Sequence, residues 1–156
     1  MRELGCAYSA GNRVPQDLVM ASKFWRKAAA KGDAYAMFYL GLAFSRGRGV
    51  PLDKAVAARY WLDAVRAGSD LAQFHLGLAY QKGEGVEMDR ARGAFWLEEA
   101  AFRGDMDAQL RLCACYYFGD GAPRDKEKAV ELWRLASVKG HSEAFLALDI
   151  TSVDNC

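Results

Sequence analysis

The sequence predicts an all-α fold in which paired helices stack one after another into a solenoid. Three observations carry that expectation: a fixed repeat, apolar residues at helical spacing inside it, and a glycine closing each helical stretch. Gly32, Gly68, Gly104 and Gly140 are each 36 apart, and so are Gly11, Gly47, Gly83 and Gly119. The same period of 36 carries Leu4, Leu40, Leu76, Leu112 and Leu148, then Asp17, Asp53, Asp89 and Asp125, then Ala36, Ala72, Ala108 and Ala144. An aromatic column reads Tyr8, Phe44, Tyr80, Tyr116. A second pair of columns reads Phe24-Trp25, Tyr60-Trp61, Trp96-Leu97, Leu132-Trp133. A period of roughly 20–50 residues signals an array of small units and overrides a single-core reading.

Each unit reads as two helices. In the second unit, Ala36, Leu40, Ala43, Phe44 and Gly47 follow one another at steps of four, three, one and three, an apolar face at helical period. Gly47-Arg48-Gly49 stops this helix, because glycine just past a helix end takes the left-handed conformation that closes it. Val50-Pro51 is an extended link, since the proline biases its predecessor away from helix. Asp53 stands at the N-cap of the second helix, where its carboxylate accepts from free amides. That helix carries Ala57, Tyr60, Trp61, Ala64 and Val65 on one face and ends at Gly68. Ser69 is expected to cap the next first helix, as Asp33 and Asp105 do in the corresponding slots. Gly5, Gly41 and Gly77 share a column that lets two helices approach closely; Cys113 and Asp149 replace them in the later units, so the last two pairs should pack differently.

The helix count is four pairs plus a final half unit, nine in all. One solenoid domain is expected over 1–150, with units 1–32, 33–68, 69–104 and 105–140, a half unit 141–150, and a tail 151–156. Met1 falls in the column of Met37, so the first helix lacks its opening turn. The lone helix over 142–150 would cover the last unit, as terminal repeats do.

Composition narrows the function classes. The chain has 156 residues, 52% hydrophobic and 26% charged, which argues against a wholly disordered protein. Its net charge of +1, from 21 Lys+Arg against 20 Asp+Glu, gives no basic field for a nucleic acid. No apolar run of about eighteen residues exists, so no membrane span is expected. No secretory leader is visible at the N-terminus. A cytoplasmic location is expected, and a periplasmic one stays open if a leader was removed.

These columns resemble the Sel1-like repeat family. The match is the pattern A-x-x-x-L-G-x-x-Y-x-x-G-x-G-V-x-x-D followed by A-x-x-x-W-x-x-A-A-x-x-G, met most fully over 36–53 and 72–89 and covering essentially 4–148. The G-x-G-V linker separates it from plain tetratricopeptide repeats. The resemblance implies an α/α solenoid coiled as a right-handed superhelix, with a concave surface made by the first helix of each pair. It implies scaffold or adaptor roles, mostly bacterial, with no catalytic residues and no cofactor. Some secreted relatives carry a cysteine pair in every repeat and a suggested penicillin-binding activity. Here Cys6, Cys113, Cys115 and Cys156 do not recur at the period, so that variety is not supported.

Several motifs look chemical and read otherwise in context. Gly47-Arg48-Gly49, Gly83-Glu84-Gly85 and Gly119-Asp120-Gly121 follow helices, whereas phosphate loops follow strands, so they are turns. Gly140-His141-Ser142-Glu143-Ala144 lacks the last glycine of a hydrolase nucleophile elbow and falls at a repeat boundary. Cys113 and Cys115 are two apart on a helix and point about 200° apart, so they cannot grip one metal ion.

One stripe on each first helix is left over from the core. It reads Tyr35, Tyr39, Leu42, Arg46 in the second unit, Leu71, His75, Leu78, Lys82 in the third, and Asp107, Arg111, Ala114, Phe118 in the fourth. These residues are the candidate binding face for a peptide or another protein. The competing reading is that they pack on neighbouring first helices. Three function classes follow: a non-enzymatic interaction module, an immunity protein that caps a toxic enzyme, and a weak amide (beta-lactam) hydrolase. The last lacks any clustered acid–base constellation. No metal, nucleic acid or membrane partner is expected, and the oligomeric state is left open.

Overall fold

The computed structural model describes residues 1–138. They form eight helices and, among the described residues, no strand. The helices are α1 (Arg2–Ala10), α2 (Leu18–Ala29), α3 (Ala34–Arg46), α4 (Lys54–Arg66), α5 (Leu71–Lys82), α6 (Arg90–Phe102), α7 (Met106–Phe118) and α8 (Lys126–Val138). Each helix packs on its neighbours in sequence, within a unit and across unit boundaries, which is the topology of an α/α solenoid. The ninth helix, expected over 142–150, lies outside the described residues.

The helix ends follow local chemistry. Asp17, Asp53 and Asp89 accept from the amides of Met20, Val56 and Arg92 at 2.9–3.0 Å, and Asp33 and Asp105 accept from Ala36 and Ala108 at 2.9 and 2.8 Å. Each such cap stabilises its helix by about 1 kcal/mol. Ser69 departs from the expectation. Its hydroxyl is buried without a hydrogen-bond partner, and α5 begins one residue later, after Asp70, which makes no side-chain cap either. Asp70, with helical φ −70° and ψ −31°, takes the N-cap place, so Ser69 stands one residue outside the position that Asp33 and Asp105 hold.

The G-x-G linkers prove to be unit-to-unit contacts. Gly47, Gly83 and Gly119 close α3, α5 and α7 at φ 63°, 67° and 75°. The second glycine has another task. A Cβ on Gly49, Gly85 or Gly121 would fall on the carbonyl oxygen of Leu18, Lys54 or Arg90, the first residue of the preceding unit's second helix. The linker therefore rests backbone on backbone against the unit before it.

The core is built from small residues and one large ring per pair. Gly5 and Gly41 leave notches in α1 and α3, and Trp25 and Trp61 fill them so closely that a Cβ at either glycine would collide with the indole. Unit three departs, earlier than the sequence columns imply. Leu97 stands in the tryptophan column, and Gly93 on α6 faces Gly77 on α5, each glycine Cα set against the other's carbonyl. Cys113 is fully buried in unit four, where Trp133 returns to the column.

Candidate binding groove

The first helices α3, α5 and α7 carry the leftover stripe. Tyr39 is half-buried and lies flat on Trp25 of the preceding unit, ring centroids 5.2 Å apart at 15°. His75 repeats this on Trp61, at 5.1 Å and 19°. Each tryptophan is thus held between a glycine of its own unit and a ring of the next. His75 also meets Phe38 and Phe74 at 5.6 and 5.4 Å. Burial, and then the charge of Arg46, lower its pKa, against a smaller opposing pull from Asp105, so the ring is held neutral.

The candidate residues separate into two clusters. Tyr39, Leu42 and Arg46 line a cavity of about 550 Å³ together with Trp25 and Leu18. Leu78, Asp107, Arg111 and Ala114 line a second cavity of about 650 Å³ between α5 and α7, with Phe74 and Leu110 beneath. Both volumes fall in the range of ligand-holding clefts. The other candidates line neither cavity. Tyr35 is exposed beneath the guanidinium of Arg2, 5.2 Å from the ring centre. Leu71 and Lys82 are exposed, and Phe118 is 73% exposed, touching the edge of Tyr117. His75 serves as packing between the two clusters.

Sequence reasoning missed the column Phe38, Phe74, Leu110. Phe38 is buried and the other two are half-buried, filling the seam between successive first helices. It also missed Arg48, counted only as a turn residue, which belongs to the first cavity. The aromatic-to-aliphatic run at a 36-residue step was the available signal for the first, and a basic residue between two glycines for the second.

Cys6, Cys113 and Cys115 are free thiols. Burial pushes the Cys113 thiol up to about 12 and raises Cys115 as well, so neither is a nucleophile at neutral pH. Among the described residues no group of three or more His, Cys, Asp or Glu could hold a metal ion. No described helix is long and apolar enough to cross a membrane.

Helix pairs in fixed register, joined by glycine linkers and carrying a side-chain stripe along successive first helices, define a helical-repeat scaffold. The chain belongs to the Sel1 repeat family: the model described as Sel1 repeat matches residues 1–33, 34–69, 70–105 and 107–141. Repeats of this family mediate protein–protein interaction, and its members are generally non-enzymatic scaffolds. Among solved structures, the chain is 33% identical to a protective antigen of uropathogenic Escherichia coli displaying an SLR fold, with a TM-score of 0.89 over 94% of this chain and 32% of that one. It is 28% identical to a Sel1 repeat protein from Oxalobacter formigenes, with a TM-score of 0.87 over 94% of this chain and 60% of that one. Cysteine-rich protein B of Helicobacter pylori shares the fold, at 23% identity and a TM-score of 0.65 over 85% of this chain and 96% of that one. The chain thus spans 32% and 60% of the length of the first two. None of the curated proteins matches it at a significant level.

Proposed function

We propose that the protein is a non-enzymatic adaptor whose first-helix face holds a peptide or a segment of another protein. One observation carries the reading. Tyr39 is locked flat on Trp25 at the wall of one cavity, a second cavity opens between α5 and α7, and both have charged rims. Rings fixed by packing lose little freedom when a partner lands on them, which favours them as anchors. Lys82 and Arg111 are exposed and would steer encounter more than they hold the complex. Asp107 lies in the same cavity as Arg111, so a ligand there meets both signs of charge.

The test is a double comparison on the purified complex with an identified partner. Tyr39→Ala should weaken binding by about 1 kcal/mol more than Lys82→Ala. Thermal melts of both variants separate lost binding from lost fold. Undiminished binding after Tyr39→Ala, His75→Ala and Arg111→Glu together would place the partner on another face.

A further inference from the structure

The three described G-x-G linkers are not alike in charge. Between the glycines stand Arg48, Glu84 and Asp120. Across each unit boundary, the first residues of the preceding second helices are Leu18, Lys54 and Arg90. At two boundaries these positions pair: Lys54 Nζ lies 3.1 Å from Glu84 Oε1, and Arg90 Nη1 donates to Asp120 Oδ1 at 2.6 Å. At the first boundary both ends have changed. The base is now Leu18 and the acid is now Arg48, while Gly49 still rests on the Leu18 carbonyl as its counterparts rest on theirs. The backbone joint is kept and only the ion pair is gone.

Both altered side chains line the first cavity, with Trp25, Tyr39, Leu42 and Arg46. No carboxylate lines it. Among the described residues, no ion pair engages Arg46 or Arg48. Arg46 and Arg48, separated in sequence only by Gly47, thus line the cavity with Leu18, Trp25, Tyr39, Leu42 and Ala43 and with the neutral polar Ser9 and Gln16. The planar guanidinium fork matches a carboxylate with two parallel hydrogen bonds. Both arginines are exposed, so they draw a carboxylate in by charge and fork geometry, while Leu18, Trp25, Tyr39 and Leu42 favour a hydrophobic neighbour on the ligand. We infer that this cavity receives a carboxylate, the aspartate or glutamate side chain of a bound peptide, flanked by a leucine or an aromatic residue. The inference rests on the groove reading above and narrows it to a ligand class.

The full chain is titrated with acetyl-Leu-Glu-Phe-amide and with its glutamine counterpart, following the side-chain N–H resonances of Trp25, Arg46 and Arg48. Blocked ends leave the side-chain carboxylate as the sole anionic group. The glutamate peptide should bind about tenfold tighter, the size of one charge-assisted hydrogen-bonding contact. Arg48→Gln should reduce that preference. The double variant L18K/R48E installs the pair seen at the next two boundaries, so it should fold and lose the preference altogether. Equal binding of the two peptides, or a preference that persists in L18K/R48E, overturns the inference. So does tighter binding of the phosphoserine counterpart, which would make the site one for phosphate. Partner binding that needs Tyr39 but ignores L18K/R48E would leave the groove reading standing and remove this one. A partner indifferent to Tyr39, beside a peptide preference erased by L18K/R48E, would do the reverse.

Discussion

In the second unit, Trp61 lies in the notch of Gly41 and offers its other face to His75 of the next unit. In the third, Leu97 takes the tryptophan's place, Gly93 replaces the alanine that Ala21, Ala57 and Ala129 supply elsewhere, and Arg111 stands where the stacking ring would be. The second unit is joined to its successor by a large buried ring; the third closes its own two helices backbone to backbone. The buried core divides accordingly. One cluster runs from Ala21 to Ala79 and holds Trp25 and Trp61; the other runs from Ala94 to Trp133. The two are bridged inside the third unit, where Trp96 of α6 packs on the first cluster and Phe74 of α5 on the second. In a linear array, stability is a sum of units and of contacts between neighbours, so a change in one contact stays local. The third unit teaches that a ring can be lost if the helices move together to close the space.

Removing the large side chain should expose the contrast most. Trp61→Ala deletes a buried ring that serves two units and should cost about 4–5 kcal/mol; Leu97→Ala should cost about 2–3 kcal/mol. Urea titration of both variants measures the difference, and equal costs would mean that the His75 stack contributes nothing.

Filling the notch is the next largest effect. A Cβ at Gly41 collides with the rigid indole of Trp61, whereas one at Gly77 lies 3.0 Å from Leu97 Cγ and 3.1 Å from the Gly93 carbonyl oxygen. Overpacking costs about 1–3 kcal/mol, and alanine recovers about 1 kcal/mol of helix propensity. Gly41→Ala should therefore destabilise by about 2 kcal/mol and Gly77→Ala by less than about 1 kcal/mol. A larger loss at Gly77 would place the tighter joint in the third unit.

The smallest effect is on pH dependence. His75 has a folded-state pKa below its ordinary value of 6.5, so the unfolded chain binds its proton more readily. The stability this provides is complete above about pH 6.5 and is lost as pH falls through the lowered folded value. The difference in stability between wild type and His75→Phe, followed from pH 8 down to 5, should be level at first and then narrow. A difference independent of pH would show that folding leaves the affinity of His75 for its proton unchanged.

The helices, their glycine stops and most aspartate caps were legible in the sequence, because each depends on neighbours within a turn or two. The close-approach glycines were legible too, but not their partners. Gly41 and Trp61 are 20 residues apart on different helices, and the joint replacement of tryptophan by Leu97 and alanine by Gly93 makes sense only once those helices face each other. The stripe of candidate residues was read as one surface, and the stacking of units divides it in two. Which residues line a cavity depends on three elements meeting, as Arg48 shows from a linker and Leu18 from the unit before. Ser69 failed as a cap because α5 starts one residue late, which residue type alone did not disclose.

The second glycine of each linker, seated on a carbonyl of the preceding unit, acts as a mechanical stop. Compressing the stack would drive Cα into oxygen at Gly49, Gly85 and Gly121 at once, so the array resists shortening stiffly. Stretching meets only side-chain contacts and a few ion pairs, such as Lys54 with Glu84. The molecule should therefore behave as a one-way spring, hard to compress and softer to extend.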